Sequence, residues 1–290
     1  MAHDTVCDHE AIGSMTPVLS THLFVRHRLT TVWLERAWDV GFPAVEIFCA
    51  RQHIDYRDKA QISELRHWFR DSTLKLHSIH SPMYSDDAWG RSGPQAVVDI
   101  SERVKAKRMS MVDEVKRALE IADFIPFRYL IQHLGVSGQE YDEYRIDSAF
   151  SSLEEIKVFA SQRGVEVLLE NTPNALSTAD RLNAFLKETH LNLNYCFDIG
   201  HAHMNGSIER EFELMKTRIR STHLHDNNGR EDTHLFPGKG GIDWKRAMAL
   251  LRSAENLPLL LELREPQNTE HVIQEAKDTA DRLNEIKADE

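Results

Sequence analysis

The 290-residue sequence has little of what marks several large classes of protein. Its three cysteines, Cys7, Cys49 and Cys196, are odd in number and far apart, so they predict neither a disulfide framework nor a CxxC metal site. No apolar run approaches the ~18 residues needed to span a bilayer. The N-terminus lacks the apolar core of a secretory signal. We therefore expect a soluble protein of a reducing compartment, the cytoplasm, without membrane contact.

Positive charge is also in short supply. Lysine and arginine together number 35, against 46 aspartates and glutamates, which gives a formal net charge of −11. This balance disfavours a protein that coats nucleic acid.

The glycine-rich GxGxxG turn of a dinucleotide-binding fold is absent as well. GKGG at 238–241 is not such a turn, because it follows no strand directly and lacks the spacing.

Short apolar runs do alternate with longer segments of helical period along the chain. The predicted strands are residues 17–24, 44–49, 74–80, 128–134, 165–171, 193–199, 219–225 and 257–263. The predicted helices include 30–40, 59–71, 108–122, 151–163, 177–189 with Ser177 as N-cap, and 270–287. Strict alternation of eight strands with eight helices indicates parallel pairing. We predict a single (β/α)8 TIM-barrel domain over residues 16–290, after a disordered N-terminal segment 1–15.

The active site of a TIM barrel lies at the C-terminal ends of its strands, and here those ends carry imidazole and carboxylate groups. On strands 2 to 8 they are, in order, Glu46, His80, His133, Glu170, Asp198, His223 with His225, and Glu262. Any one of them alone is more often a solvated charge or a hydrogen-bonding histidine, but the barrel brings all of them onto one ring. Imidazole and carboxylate without thiolate suit Zn²⁺ or Mn²⁺, with Fe²⁺, Co²⁺ or Mg²⁺ as alternatives. We predict a site for one to three divalent ions.

The stretch IRSTHLHDNNGREDTHLFPGKGGIDW holds three histidines, His223 and His225 among them, and three aspartates around a glycine-rich turn. His225 shares a strand face with His223, because alternate residues of a strand point the same way. His77 falls on the face opposite His80 by the same rule and is predicted to be structural. Asp243 stands where the next helix begins and is predicted to cap it.

Five motifs together resemble the xylose-isomerase-like TIM-barrel superfamily, which unites sugar isomerases and epimerases with apurinic-site endonucleases of the endonuclease IV type. In chain order they are VLLENT (167–172), FDIGHAHMNG (197–206), STHLHDN (221–227), DTHLFPGKG (232–240) and PLLLEL (258–263). The resemblance extends from Val18 to Leu263. It implies a metal-dependent enzyme with its site at the strand ends.

The resemblance implies roles for individual residues. In the isomerase and epimerase pattern, one divalent metal would be held by Glu170, Asp198, His223 and Glu262. Glu170 and Glu262 would also relay the proton of the substrate. The endonuclease pattern adds two sets of ligands, namely His80 and His133 with Glu170, and His201 with Asp232 and His234. We further predict substrate contacts from Glu46, His225 and Lys239. Glu46 would alternatively orient a ligand, and His225 would support a ligand rather than bind metal.

Two functions stay open at this point. The first, which we favour, is a metal-dependent isomerase or epimerase of a small carbohydrate, either a sugar or a sugar phosphate. The second is an endonuclease IV-like phosphodiesterase with three metals, which the number of ligands favours. The loop after strand 3, with Asp86, Asp87 and Asp99, and the loop 135–147 are acidic and would repel a duplex. Nucleic acid is therefore disfavoured as a partner.

A third function ranks below these two. It is a barrel that has lost activity and only binds a sugar, and it ranks last because every expected ligand position is filled. Barrels of this type are often dimers or tetramers, so a homo-oligomer is compatible with the sequence.

Overall fold

The computed structural model describes residues 14–266 and 271–286, in which eight parallel strands form a barrel. The strands are Pro17–Ser20 (β1), Ala44–Phe48 (β2), Lys75–His80 (β3), Tyr129–Gln132 (β4), Glu166–Glu170 (β5), Asn194–Asp198 (β6), Ile219–His223 (β7) and Leu259–Leu261 (β8). Neighbours pair in the order β8-β1-β2-β3-β4-β5-β6-β7. Backbone bonds from the Leu224 amide to the Leu260 carbonyl and from the Glu262 amide to the Leu224 carbonyl close the ring. The predicted TIM barrel is confirmed. Residues 1–13 of the predicted N-terminal segment, with Cys7, lie outside the described residues.

Helices cover the outside of this barrel. They are Thr31–Asp39 (α1), Lys59–Asp71 (α2), Lys105–Leu119 (α3), Glu143–Ser161 (α4), Ala179–Glu188 (α5), Ile199–Met204 (α6), Ile208–Met215 (α7), Trp244–Arg252 (α8) and Val272–Glu285 (α9). The alternation predicted one helix between consecutive strands, but two helices, α6 and α7, follow β6. Within the described ranges, no helix combines the length and apolarity that crossing a bilayer requires.

Two N-caps were predicted from the sequence, Asp243 and Ser177, and one of them is right. Asp243 accepts hydrogen bonds from the Lys245 and Arg246 amides and caps α8 as predicted. The prediction that Ser177 caps α5 is wrong. Its hydroxyl instead donates to the Leu134 carbonyl, while the Glu211 carboxylate accepts from the Ala179 amide. Glu211, which is distant in the sequence, therefore accepts the hydrogen bond of a helix N-terminal amide that Ser177 was expected to accept.

The barrel interior is apolar in its lower layers and polar at the C-terminal end. Val18, Ala44 and Leu260 form one buried cluster, and Tyr129, Ile131, Leu168 and Cys196 form another. The register between β2 and β3 shifts at Val45/Glu46, which makes His77 an extra residue in β3. Its Nε2 lies 3.3 Å from Ser221 Oγ on β7, across the barrel. The bulge thus turns His77 into the interior, and the predicted opposite face is wrong.

Candidate metal centre

Parallel strands bring the predicted ligands to one end of the barrel. Four of them are the last residues of β3, β5, β6 and β7, namely His80, Glu170, Asp198 and His223. His133 and Glu262 each follow a strand by one residue. All six are buried except His133, which is half-buried.

Three carboxylates gather around one nitrogen of His223. Its Nδ1 lies 3.1 Å from Glu170 Oε1, 3.2 Å from Glu262 Oε2 and 3.9 Å from Asp198 Oδ2. One ligand atom from each of these four residues lies within 4.8 Å of all the others. This first set is the one that the isomerase resemblance implies.

Glu46 faces the other nitrogen of His223. It is fully buried in β2, where one carboxylate oxygen lies 3.2 Å from His223 Nε2 and the other accepts from Ser78 Oγ at 2.7 Å. A carboxylate behind an imidazole fixes its tautomer and ring orientation, as in many metal sites. Of the two roles open for Glu46, this position favours orienting His223.

A second set forms at the ends of β3, β4 and β5. His133 Nε2 lies 3.0 Å from Glu170 Oε2, and His80 Nε2 lies 3.6 Å from the same oxygen. The Ser81 carbonyl, 2.9 Å from His80 Nδ1, holds the ring so that Nε2 points to the centre. Glu170 therefore belongs to both the first and the second set, as the endonuclease resemblance implies.

A third set lies beside the first and includes a residue not expected in it. Asp232 Oδ2 lies 3.3 Å from His201 Nε2 and 3.2 Å from His234 Nε2. His225 joins them, with Nε2 3.7 Å from Asp232 Oδ1 and 3.2 Å from Asp198 Oδ1. Neither ring nitrogen of this buried histidine makes a hydrogen bond. His225 therefore has the position of a fourth ligand in the third set.

The glycine-rich turn after β7 is organised by Asp226. This fully buried carboxylate accepts from the amides of Gly238 and Ile242 and from the indole of Trp244. These bonds hold the loop against the barrel and thereby fix the position of Asp232 and His234 in the third set. His234 adopts a left-handed backbone conformation, φ 48°, which is uncommon for a non-glycine residue and typical of strained functional loops.

The donor set fits a divalent cation. Four buried carboxylates, those of Glu46, Glu170, Asp198 and Glu262, lie against one imidazole, and buried acids are costly without positive charge nearby. Asp198 Oδ2 and both nitrogens of His225 are buried without hydrogen-bond partners. Such unsatisfied atoms at a convergent His/Asp/Glu cluster are what an ion would coordinate.

Without an ion, protons supply the positive charge. Burial alone would lower the pKa of His223, but the carboxylates of Glu262 and Glu170 outweigh it and raise the pKa well above its usual value. Burial would raise the pKa of Glu170, yet the charges of His223 and His133 hold it well below normal. A cation entering here must displace protons, because a ligating imidazole is neutral.

His22 is a residue of this region that the sequence analysis missed. It follows β1 on a short 3-10 turn, buried, with its ring 4.7 Å from that of His234. Burial, reinforced by His234, lowers its pKa well below the usual value, so the ring is neutral. Cys196 also lies beside Glu170 and His223. Burial raises the pKa of its thiol, which favours the protonated form.

Other predicted residues lie apart from the clusters. Lys239 is exposed on the turn that Asp226 holds and belongs to no ligand group among the described residues. Asp99 is buried against Arg145 at 2.6 Å, and Asp86 accepts amides of its own loop. Asp99 therefore adds little negative charge to the rim, whereas Asp86 keeps its charge, because backbone amides stabilise the ionised carboxylate.

Comparison with known proteins places the chain among related barrels. The family model described as xylose isomerase-like TIM barrel matches residues 34–286. An uncharacterised protein of Methanocaldococcus jannaschii is 28% identical over 246 residues, which cover 81% of this chain and 78% of that protein.

Two solved structures have a similar fold. A D-tagatose 3-epimerase-like protein superposes with a TM-score of 0.75 at 24% identity, covering 94% of this chain and 98% of the other. The IOLI protein, solved with a bound zinc atom, gives a TM-score of 0.70 at 18% identity and covers 93% and 96%. Motifs, barrel and family match agree: the chain belongs to the xylose isomerase-like TIM barrel family.

Proposed function

We propose that this protein is a metal-dependent isomerase or epimerase of a small carbohydrate. The observation that carries the proposal is the pair of buried glutamates, Glu170 and Glu262, both within 3.2 Å of His223 Nδ1. Two carboxylates in one small buried site are what proton transfer at a sugar carbon requires. The similarity to a D-tagatose 3-epimerase-like protein supports this choice of reaction.

In this reaction the two glutamates exchange roles. One ionised carboxylate removes the proton from the carbon beside the carbonyl, and the electron pair of that C–H bond moves into an enediolate. The other glutamate, protonated, returns a proton to that carbon from its opposite face, or to the neighbouring carbon for an isomerisation. The low pKa of Glu170 keeps this carboxylate ionised, which is the state that a base needs.

The remaining groups position the pair. Glu170, Asp198, His223 and Glu262 would hold a divalent ion, which supplies positive charge that stabilises the enediolate. Glu46 orients His223 from behind, and Ser78 in turn orients Glu46. The nature of the ion, as well as cytoplasmic location and homo-oligomerisation, stays a prediction.

A phosphodiesterase is the second candidate, and one observation favours it. All three ligand sets of the endonuclease pattern converge in the structure, with Glu170 shared between the first two. The buried state of Asp99 also weakens the argument from acidic rim loops. We still rank the isomerase or epimerase first, because that reaction needs only the ligand set at the strand ends. The net charge of −11 also disfavours binding to DNA phosphates.

A paired assay decides between the two. Ketoses and sugar acids are incubated with metal-loaded protein in D₂O, and deuterium incorporation beside the carbonyl is followed by NMR. The same preparation is tested on duplex DNA with an abasic site over a range of salt concentrations. We expect deuterium exchange and no incision. Incision at nanomolar enzyme with a steep salt dependence, without exchange on any sugar, would reverse the ranking.

A further inference from the structure

A second cavity opens beside the metal centre on the side of β1. It has a volume of about 500 Å³, and His22, Arg26, Gln52, Trp89, Arg264 and Glu265 are among its lining residues. This volume lies in the range of small-molecule sites. His22 connects the two regions, because its ring lies against His234 on one side and 5.8 Å from the ring of Trp89 on the other.

His22 lines this cavity and has one ring nitrogen without a hydrogen bond to any described residue, although the residue also lies close enough to His234 and Glu262 to form a ligand group with them. Its Nδ1 lies 2.9 Å from the Leu263 carbonyl, which can only accept, so Nδ1 carries the hydrogen. In the neutral ring Nε2 is then an acceptor, and it has no hydrogen-bond partner among the described residues. The side chain is about as buried as that of His234, whose Nδ1 bonds the adjacent Glu262 carbonyl. Two consecutive carbonyls thus fix two neighbouring imidazoles.

Trp89 supplies the complementary donor. It lies on the long loop after β3, where its amide bonds to Gln52 Oε1 and its ring packs 5.3 Å from that of Phe48. Its indole Nε1 is buried and has no hydrogen-bond partner. Within the part of the chain that the structure describes, Trp89 Nε1 is a buried donor without a partner and His22 Nε2 is an acceptor without a hydrogen bond, and both residues line one cavity. Together they match a hydroxyl group, which accepts one hydrogen bond and donates another.

The outer end of the cavity is positive. Arg264 and Arg26 are exposed and make no ion pair with any described residue, whereas the neighbouring Glu265 lies 3.5 Å from His27. The Arg264 amide bonds to the His234 carbonyl, which ties this residue to the third ligand set. In a chain with eleven more acidic than basic residues, two unpaired arginines at one cavity are a specific feature. Guanidinium groups recognise phosphate and carboxylate.

We propose that His22, Trp89 and Arg264 form the subsite for the far end of the substrate, and that this end bears a hydroxyl group and an anionic group. The proposal rests on the isomerase or epimerase function and narrows its substrate class to sugar phosphates or sugar acids. His22 accepts from the hydroxyl, Trp89 donates to it, and Arg264 binds the anion.

A binding experiment tests the anion part without turnover. Inorganic phosphate is titrated into metal-loaded protein and into its Arg264→Gln variant. Arg230→Gln, which removes an exposed charge on the loop after β7 outside this cavity, is the matched control. We expect Arg264→Gln to weaken binding at least ~10-fold, as loss of a charged hydrogen bond does, and Arg230→Gln to change it less than ~2-fold. Equal effects of both variants, or none, would overturn the anion site.

A kinetic experiment tests the hydroxyl part and separates the two proposals. Each ketose that exchanges deuterium is compared with its terminal phosphate and its terminal carboxylate. Arg264→Gln should raise KM for the preferred anion far more than KM for the neutral sugar. His22→Phe should lower kcat/KM for the anionic and the neutral substrates alike, with metal content unaltered. Loss of metal in His22→Phe would make His22 a ligand and refute its role here. Exchange without any effect of Arg264→Gln refutes the subsite alone, whereas absence of exchange refutes the function.

Discussion

Gly200 lies on α6 directly beneath the ring of His225, and its replacement by alanine tests the packing of the third ligand set. A Cβ atom at this position would lie 2.0 Å from His225 Cε1 and 2.5 Å from both ring nitrogens. Carbon atoms in contact are normally ~3.5–4.0 Å apart, so the ring would have to move by about 1.5 Å. It has no space for this, because His225 is fully buried and stacked on His234 at 4.0 Å.

Two effects oppose each other in Gly200→Ala, and their magnitudes decide the outcome. Alanine in a helix is favoured over glycine by about 1 kcal/mol. Overpacking of a buried site costs roughly 1–3 kcal/mol and more where the overlap is severe. The overlap here involves a rigid ring held on both sides, so we expect net destabilisation by about 2 kcal/mol. In a chain of this size that lowers the Tm by roughly 4–8 °C.

The assay is a double-mutant cycle of Gly200→Ala and His225→Ala, with Tm and bound metal measured for each variant. If the overlap is the cause, removal of the His225 ring relieves it, and the cycle gives a coupling of about 1–3 kcal/mol. Gly200→Ala alone should also lose the ion of the third set. A Gly200→Ala protein that is as stable as the wild type and fully loaded would refute this geometry.

Three further predictions concern the metal centre. Glu262→Gln keeps the shape of the side chain but removes a base, so turnover should fall by at least ~10²-fold; near-normal turnover on the true substrate would place the acid–base chemistry elsewhere. The double variant Asp232→Ala/His234→Ala should release one metal equivalent and leave the strand-end set loaded, as counted by elemental analysis. Equal metal contents in the wild type and the double variant would show that this loop binds no ion. Burial would lower the pKa of His234, but the Asp232 carboxylate raises it to about 9. Because the protonated ring cannot bind metal, affinity of the third set should rise with pH up to about 9 in calorimetric titrations; an affinity independent of pH would contradict this.

The strand-end residues were predictable because their positions depend on periodicity alone. Glu170, Asp198 and His223 each lie near the C-terminal end of a predicted strand, and parallel strands of similar length must bring such residues to one end of the barrel. The barrel and the ring of ligands both follow from that rule. These residues can be identified without knowing any contact between distant parts of the chain.

His22 was missed because the apolar pattern of the sequence does not show at which residue β1 ends. The predicted strand continued through Phe24, which would make His22 one interior position among several. In the structure β1 ends at Ser20, whose hydroxyl accepts from the His22 amide and starts a 3-10 turn. That turn places His22 at the C-terminal end of the barrel, beside His234. The Ser-Thr-His sequence after an apolar run was the available signal.

Acidic residues were counted without knowledge of their partners. Asp86 and Asp99 were expected to repel a duplex, but both form bonds inside their own segment or with Arg145. In the same way, the bulge in β3 reversed the side on which His77 lies. A pattern of charge or alternation gives residue types along the chain, whereas pairing and register are set by contacts between strands and loops.

The division of the centre into rigid and loop-borne sets bears directly on function. Glu170, Asp198, His223 and Glu262 are buried at strand ends, whereas the Asp232 side chain is 37% exposed on a loop that depends on Asp226. Proton transfer at a sugar carbon uses only the rigid set. A three-metal phosphodiester cleavage needs the loop-borne set as well. The variant that lacks Asp232 and His234 should therefore retain deuterium exchange if the protein is an isomerase or epimerase, and lose all activity if it is a phosphodiesterase.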